Sequence, residues 1–190
     1  IEPSATRREA PCEYFKSCGG CSWQHIVESE QIRQKELILT DLLNKFIPQV
    51  PFELLPTITS EKNFSYRNRI QLKQLGNELG YFKKSSHQIV DISKCLIAEK
   101  ELSDQISKIK KQLKPAHELK KFEFRINHLR QFEHYLIGND GEDLSFSQIN
   151  NDVNIKLVLK VVELLKQTGP RFLTELYAGA GNFTFPLLSE

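Results

Sequence analysis

Four cysteines carry the clearest chemical signal in this 190-residue sequence. Cys12, Cys18 and Cys21 lie within ten residues of one another, and Cys95 follows 74 residues later. Thiolates bind soft and borderline metals, and four of them complete either a tetrahedral zinc site or an iron–sulfur cubane. Structural zinc usually takes two short pairs, whereas the spacing here gives three close thiols and one distant thiol. The pattern therefore favours a [4Fe-4S] cluster with all four cysteines as its ligands.

Two glycines between Cys18 and Cys21 fit the same interpretation. They let the backbone wrap closely, and their N–H groups can donate to cluster sulfur. On the residues alone, a zinc ion and free thiols without a metal stay open as alternatives. A disulfide is the weakest alternative, because nothing in the sequence indicates an oxidising compartment.

A glycine-rich stretch near the C-terminus, Glu175-Leu-Tyr-Ala-Gly-Ala-Gly-Asn182, is the second chemical signal. Glycines permit a tight turn and let a ligand lie against the backbone. The stretch is no Walker loop, because no Gly-Lys-Ser/Thr follows, and it lacks the third glycine of the dinucleotide fingerprint. An acidic residue four positions before Gly-x-Gly is the form that cradles S-adenosylmethionine (SAM) in many methyltransferases. A strand-to-helix turn without a ligand stays open as the alternative.

Hydrophobic periodicity predicts the elements that position these motifs. Helices are predicted over 29–47 with Ser29 as the N-cap, over 102–113, and from an N-cap at Asn151 to 169–170. Strands are predicted from residue 66 and over 81–84, 88–92, 122–126 and 132–136. Turns are predicted over 76–80 and 138–141. A strand over 172–177 and an incipient helix from 183 then flank the glycine turn, which is the opening of an α/β nucleotide-binding domain.

Composition and charge narrow the class of protein. Hydrophobic residues make up 39% and charged residues 26% of the sequence, which is ordinary for a globular protein. No apolar run reaches the roughly 18–20 residues that cross a bilayer. The net charge is only +2, but residues 62–87 hold six basic side chains against one acidic one: Lys62, Arg67, Arg69, Lys73, Lys83 and Lys84. This uneven distribution indicates a footprint for RNA or another anion.

Four motifs, in this order, resemble the RumA/TrmA family of SAM-dependent RNA 5-methyluridine methyltransferases. The resemblance runs from about Pro11 to the end of the chain and supports the [4Fe-4S] assignment. The motifs are Cys12-x5-Cys18-Gly-Gly-Cys21-x2-Gln24-His25 with Gln31 and Lys35 on the following helix, Tyr66-Arg-Asn-Arg69, Phe146-Ser-Gln-Ile-Asn150, and Leu176-Tyr-Ala-Gly-Ala-Gly-Asn-Phe-Thr184.

The resemblance implies an α+β central iron–sulfur domain followed by the start of an α/β Rossmann-like SAM-dependent methyltransferase domain. Residues 1–10 would be the tail of a TRAM, or OB-like, domain. Residues 11–146 would be the central [4Fe-4S] RNA-binding domain, and residues 147–190 the truncated first part of the methyltransferase domain. The helix over 29–47 is expected to pack on the methyltransferase domain. Because the sequence contains no Met, we expect a piece of a longer protein.

The resemblance also implies roles residue by residue. The four cysteines match the cluster ligands, and four positions match contacts to SAM: Gln148, Tyr177, Gly179 and Asn182. Arg67 and Arg69 match a motif that would hold RNA, and aromatic rings offer faces for unstacked bases: Tyr66, Tyr81, Phe82 and Trp23. Two mild departures leave the cofactor assignment in place, since Glu175 stands where the family usually has Asp and Ala178 where it often has Cys.

The implied reaction is methylation of uracil C5. A cysteine thiolate adds to C6, C5 attacks the sulfonium methyl group, and a base removes the C5 proton. The four cysteines would be occupied by metal, so no catalytic residue is expected in this chain. The nucleophile and base should lie downstream, and the chain alone should be inactive.

The expected substrate is 23S ribosomal RNA, because the bacterial transfer-RNA enzymes of the family generally lack the cluster motif. A transfer-RNA methyltransferase and a non-catalytic, metal-bearing RNA-binding module remain alternatives. We expect a cytoplasmic monomer that takes part in rRNA processing, uses SAM and a [4Fe-4S] cluster, and has no membrane partner.

Overall fold

The structure, a computed structural model, describes residues 2–127, 129–138 and 147–188. Within these ranges the chain forms four helices and five strands. They are α1 (Glu28–Phe46), β1 (Arg69–Gly76), β2 (Glu78–Phe82), β3 (Ile89–Asp91), α2 (Lys100–Gln112), β4 (Ala116–Ile126), β5 (Phe132–Ile137), α3 (Asn151–Thr168) and α4 (Thr184–Leu188). None of the described helices is long and apolar enough to span a membrane.

The five strands form one antiparallel sheet in the order β3-β2-β1-β4-β5. Ile70 and Leu72 of β1 lie opposite Phe124 and Phe122 of β4, so alternate side chains of both strands share one face. The apolar side of α2 joins them in the same buried cluster through Leu102, Ile106 and Ile109. Burying each such side chain contributes about 1.5–3 kcal/mol. This arrangement confirms the predicted α+β class for the sheet-bearing part of the chain.

The connection between β1 and β2 is shorter than the predicted turn over 76–80. Gly76 has φ +57°, a left-handed conformation that glycine adopts without strain, and β2 already begins at Glu78. Leu79 is completely buried and belongs to the core. At Gly80 a Cβ atom would lie only 1.9 Å from the Val90 carbonyl oxygen. Only glycine therefore allows β2 and β3 to approach this closely.

Two predicted helix caps are each displaced. Ser29 lies inside the first turn of α1, and the N-cap position is Val27, which makes no side-chain cap. The entry to α1 is held instead by Gln31, whose Nε2 donates to the carbonyls of Trp23 (3.1 Å) and Ile26 (2.9 Å). At α3 the cap is Asn150 rather than Asn151.

The boundaries of α3 have clear physical causes. The Oδ1 of Asn150 accepts a hydrogen bond from the Val153 N–H at 3.2 Å, which satisfies a backbone donor that the helix leaves unpaired. Gly169 follows the last turn with φ +54°, so the predicted stop at 169–170 is confirmed.

The strand predicted over 172–177 does not form. A strand needs a neighbour to pair its backbone N–H and C=O groups, and no described segment pairs with this one as a strand. Its apolar side chains remain outside any core: Phe172, Leu176 and Tyr177 are 82%, 76% and 103% exposed. The predicted turn over 138–141, apart from Gly138, and Phe146 of the third motif lie outside the described residues.

Candidate metal centre and glycine turn

The cysteine loop is fixed to the end of β2 by its backbone. Cys18 forms a β-bridge with Lys83, and the Gly19 N–H donates to the Phe82 carbonyl at 2.8 Å. A Cβ atom at Gly19 would lie 2.7 Å from that same oxygen, so the close approach requires glycine. Within the loop, the Cys18 N–H donates to the Tyr14 carbonyl at 2.7 Å. These backbone bonds fix the loop to the end of β2 at Cys18 and Gly19.

The distant cysteine reaches the same place through the segment that follows β3. The Cys95 N–H donates to the Ser103 hydroxyl of α2 at 2.9 Å, which ties this cysteine to the core helix. Cys95 is buried at 8% exposure and Cys18 at 9%. All four cysteines line one small cavity: Cys12, Cys18, Cys21 and Cys95. The fold therefore brings together thiols that are far apart along the chain.

All four thiols are free, and no disulfide joins them. Burial raises the pKa of Cys12, Cys18 and Cys21, and the neighbouring thiols raise it further. At Cys21 a hydrogen bond from Gln24 and the charge of Arg67 oppose this shift. Within the described ranges, no group of three or more His, Cys, Asp or Glu side chains is arranged to hold a metal ion. The [4Fe-4S] cluster therefore remains a proposal.

Three groups beside the thiols complete the surroundings of the cavity. Gln24 is only 8% exposed, and its Oε1 accepts a hydrogen bond from the Cys12 N–H at 3.2 Å. The Gly20 N–H donates to Cys18 Sγ at 3.4 Å. The Tyr81 hydroxyl lies 3.9 Å from Cys95 Sγ, and burial raises the pKa of this phenol well above its ordinary value. Sequence reasoning gave Gln24 no role, since its burial depends on the folded loop.

Arg67 and Arg69 are partly buried, whereas the prediction of RNA contacts assumed that they lie on an exposed strand face. The backbone of Arg67 bonds to Ile97 O and to Glu99 N, each at 2.8 Å, and its Nε is buried without a hydrogen-bond partner. The Arg69 side chain is 16% exposed and donates to the Ser147 carbonyl at 3.4 Å. Their assignment to RNA stays a prediction.

A wide cleft of about 730 Å³ lies beside the cysteine loop. Arg67 lines it together with Cys21, Trp23, Lys35 and Tyr66. Trp23 and Tyr66, two of the four predicted stacking rings, are both half-buried, and Tyr66 packs against the core cluster.

The glycine turn is held in place from both sides. Asn182 and Asn154 of α3 exchange two amide hydrogen bonds of 2.8 and 2.9 Å. Glu175 accepts a hydrogen bond from the Thr184 hydroxyl at 2.5 Å, which links the two ends of the turn. Gly181 has φ +78°, and a Cβ atom there would lie 2.4 Å from the Phe185 ring. The turn therefore has a defined shape that depends on glycine.

Two of the four predicted SAM contacts, Gln148 and Asn182, lie near the start of α3. Gln148 lies two residues before the Asn150 cap, and its carbonyl accepts a hydrogen bond from the Asn68 side chain at 3.2 Å. Asn182 bonds to the first turns of the same helix through Asn154. Tyr177 is fully exposed with φ +59°, and Gly179 has φ +55°. The SAM roles of these residues stay predictions.

No family model matches the chain. The chain is 38% identical, over its whole length, to an uncharacterized RNA methyltransferase of Bdellovibrio bacteriovorus, of which it covers 49%. It is 38% identical over 61% of its length to an uncharacterized RNA methyltransferase of Aquifex aeolicus, covering 27% of that protein. It is 30% identical over 98% of its length to a 23S rRNA (uracil(1939)-C(5))-methyltransferase RlmD of Acinetobacter baumannii, covering 54%. The chain thus spans about half the length of the curated relatives that it matches throughout.

Proposed function

We propose that the chain is part of an enzyme that transfers a methyl group from SAM to uracil C5 in RNA. The chain is homologous to RNA methyltransferases, among them proteins named RlmD 23S rRNA uracil-C5-methyltransferases. The observation that carries this proposal is the 38% identity over the whole chain. The proposed substrate is 23S ribosomal RNA, following the names of the RlmD relatives.

The four cysteines would hold a [4Fe-4S] cluster. The donor set fits this group, because four free thiols line one cavity and a backbone N–H donates to the sulfur of Cys18. A cubane takes one thiolate on each of four irons, so its ligands surround a core and need not converge on one atom. When bound, the cluster would supply folding free energy, which is on the order of 10 kcal/mol for structural zinc sites. Methyl transfer from a sulfonium needs no electron, so its proposed role is structural.

The glycine turn and the residues before α3 would hold SAM. The proposed contacts are Gln148, Tyr177, Gly179 and Asn182. Both glycines of the turn have positive φ, which leaves backbone open to a ligand, and the Asn182–Asn154 pair fixes the turn to α3. Residues 147–190 would open an α/β Rossmann-like domain. The exposed apolar side chains over 172–177 support this assignment, because they pack into no core among the described residues.

The remaining domain assignments are also proposals. Residues 1–10 would end a TRAM-like domain, and residues 11–146 would form the iron–sulfur RNA-binding domain. Helix α1 has no buried residue and exposes apolar side chains, among them Leu39, Leu42 and Phe46 at 44%, 47% and 72%. These side chains are the proposed contact between α1 and the methyltransferase domain.

The proposed reaction is tested with the full-length protein, purified without oxygen and incubated with radiolabelled SAM. A 23S rRNA transcript should acquire label that digestion identifies as 5-methyluridine, while a transfer-RNA transcript should not. Label in transfer RNA alone would move the substrate to the alternative class. No transfer to either RNA by protein that retains its iron would overturn the proposed activity.

A further inference from the structure

Four lysines lie on β1, on β4 and on the segment after β2, to which the cysteine loop is attached. Lys83 and Lys84 follow β2 and are exposed, as is Lys121 of β4. Lys73 of β1 lies directly opposite Lys121 in the strand register. No ion pair joins any of these four to a carboxylate in the described part of the chain. Many other basic side chains there are paired: Arg8, Arg33, Lys62, Lys94, Lys110, Arg125, Arg130, Lys156 and Lys160.

The juxtaposition of Lys73 and Lys121 costs stability in the free protein. Side chains directly opposite in an antiparallel pair have Cβ atoms about 4.5–5.5 Å apart, and like charges there repel. Burial lowers the pKa of Lys73, and the charge of Lys121 lowers it further. An anion bound between them would relieve this repulsion.

Aromatic rings hold two of the ammonium groups at the surface. The Lys73 Nζ lies 5.4 Å from the centre of the Phe82 ring, and the Lys84 Nζ lies 4.1 Å from that of Phe15. Three of the lysines line one open depression together with Gly19 and Phe82, and none of the described residues that line it is acidic. The surface thus combines positive charge with aromatic faces, the pairing that binds single-stranded nucleic acid.

The same backbone bonds that fix the cysteine loop also fix two of these lysines, Lys83 and Lys84. Cys18 forms a β-bridge with Lys83, and the Lys84 N–H donates to the Ser17 carbonyl at 3.1 Å. Two of the lysines therefore sit on the segment against which the thiol-bearing loop folds. Disordering that loop would release the segment that carries them.

We propose that Lys73, Lys83, Lys84 and Lys121, here called the lysine surface, bind the phosphate backbone of the RNA substrate, and that the folded cysteine loop holds Lys83 and Lys84 in place. This inference rests on the proposed function for the identity of the polyanion. It assigns the main phosphate contacts to a surface distinct from Arg67 and Arg69, whose side chains are more enclosed. The lysines contribute affinity without reading sequence, as backbone contacts do.

The test compares two triple variants of the full-length protein that lose the same charge. One is K83Q/K84Q/K121Q, and the control on α2 is K100Q/K108Q/K111Q. Anisotropy of a labelled 23S rRNA stem-loop is measured over a range of salt concentrations. The lysine-surface variant should bind about tenfold to hundredfold more weakly, and its salt slope should fall by about 2, at about 0.7 per lost phosphate contact. The control should stay within about twofold of the unaltered protein.

The outcomes separate this inference from the proposed function. Iron content and circular dichroism first establish that both variants are folded. Equal salt slopes in the two variants, with uridine methylation intact in the unaltered protein, would overturn the lysine surface and leave the activity standing. Unaltered protein that binds anionic vesicles and no RNA would overturn both. A fall in slope that is specific to the lysine-surface variant supports the inference.

Discussion

The Oε1 atom of Gln24 accepts a hydrogen bond from the backbone N–H of Cys12 at 3.2 Å. The same buried side chain also lowers the pKa of Cys21, so one amide acts on the first and third cysteines of the loop. Replacing Gln24 by Leu keeps the volume and removes the hydrogen bond to Cys12. A buried donor left without a partner costs about 1–3 kcal/mol.

We therefore expect Gln24→Leu to lower the midpoint of thermal unfolding and the iron bound per chain. The control is Gln112→Leu at the exposed end of α2, which should change neither quantity. Iron assay and a melting curve measure both. Unchanged iron and stability in Gln24→Leu would show that the amide does not position the loop.

A shared metal centre would link Cys95, on the segment after β3, to the cysteine loop. Cys95→Ala should abolish the visible absorption of the cluster and the cooperative unfolding of the sheet-bearing part, since metal binding there would carry folding free energy. Ser103→Ala serves as the milder comparison, because it removes only the hydroxyl that accepts from the Cys95 N–H. It should cost about 1 kcal/mol and retain the cluster. A Cys95→Ala protein that folds and keeps its iron contradicts the assignment.

Two glycines with positive φ offer a matched pair for the cofactor turn. At Gly181 an added methyl group would meet the Phe185 ring at 2.4 Å, whereas at Gly169 it would meet nothing within 4 Å. Both replacements by Ala carry the backbone strain of the left-handed region, about 1–2 kcal/mol. Only Gly181→Ala should also deform the turn and weaken SAM binding, as calorimetry with the full-length protein would measure. Equal SAM affinities in the two variants would argue against a cofactor role for the turn.

The carboxylate of Glu133 on β5 should make stability depend on acid. Hydrogen bonds from Tyr135, Arg125 and Asn127 lower the pKa of Glu133 to about 2. A folded-state pKa below the unfolded value gives stabilisation that is complete above about pH 4–5 and is lost as the pH falls toward 2. The stability advantage over Glu133→Gln should therefore be full at pH 7 and shrink through this window.

Melting temperatures at a series of pH values measure this effect. Glu118→Gln, on the exposed part of β4, provides the control, and it should track the unaltered protein at every pH. An advantage of Glu133 that persists at pH 2 would mean that its hydrogen bonds do not stabilise the folded hairpin.

The sequence predicted the central strand β1 well because its buried and more exposed residues alternate. Ile70 and Leu72 are buried while Gln71 between them is exposed, and this period-2 pattern cannot fit a helix. The resemblance stated from the four motifs is likewise confirmed by homologous RNA methyltransferases. All four cysteines line one cavity, while their role as one ligand set stays a prediction.

Other features depended on contacts that no local pattern carries. The strand expected over 172–177 has the right composition, but strand pairing needs a neighbour, and apolar composition alone does not provide one. Tyr81 was predicted as a stacking face for bases, yet its ring packs against the core and its hydroxyl lies near Cys95. Alternation shows that a side chain faces one side of a sheet without showing what covers that side.

Gly80 has a consequence for the position of Cys95. The carbonyl of Val90 occupies the volume where a Cβ atom at position 80 would lie. Any other residue at this position must therefore push the edge strand β3 away from β2. The polypeptide runs from that edge strand directly to Cys95, so the displacement would be transmitted to the fourth sulfur. The absence of a side chain at position 80 thus helps to fix where Cys95 lies relative to β2.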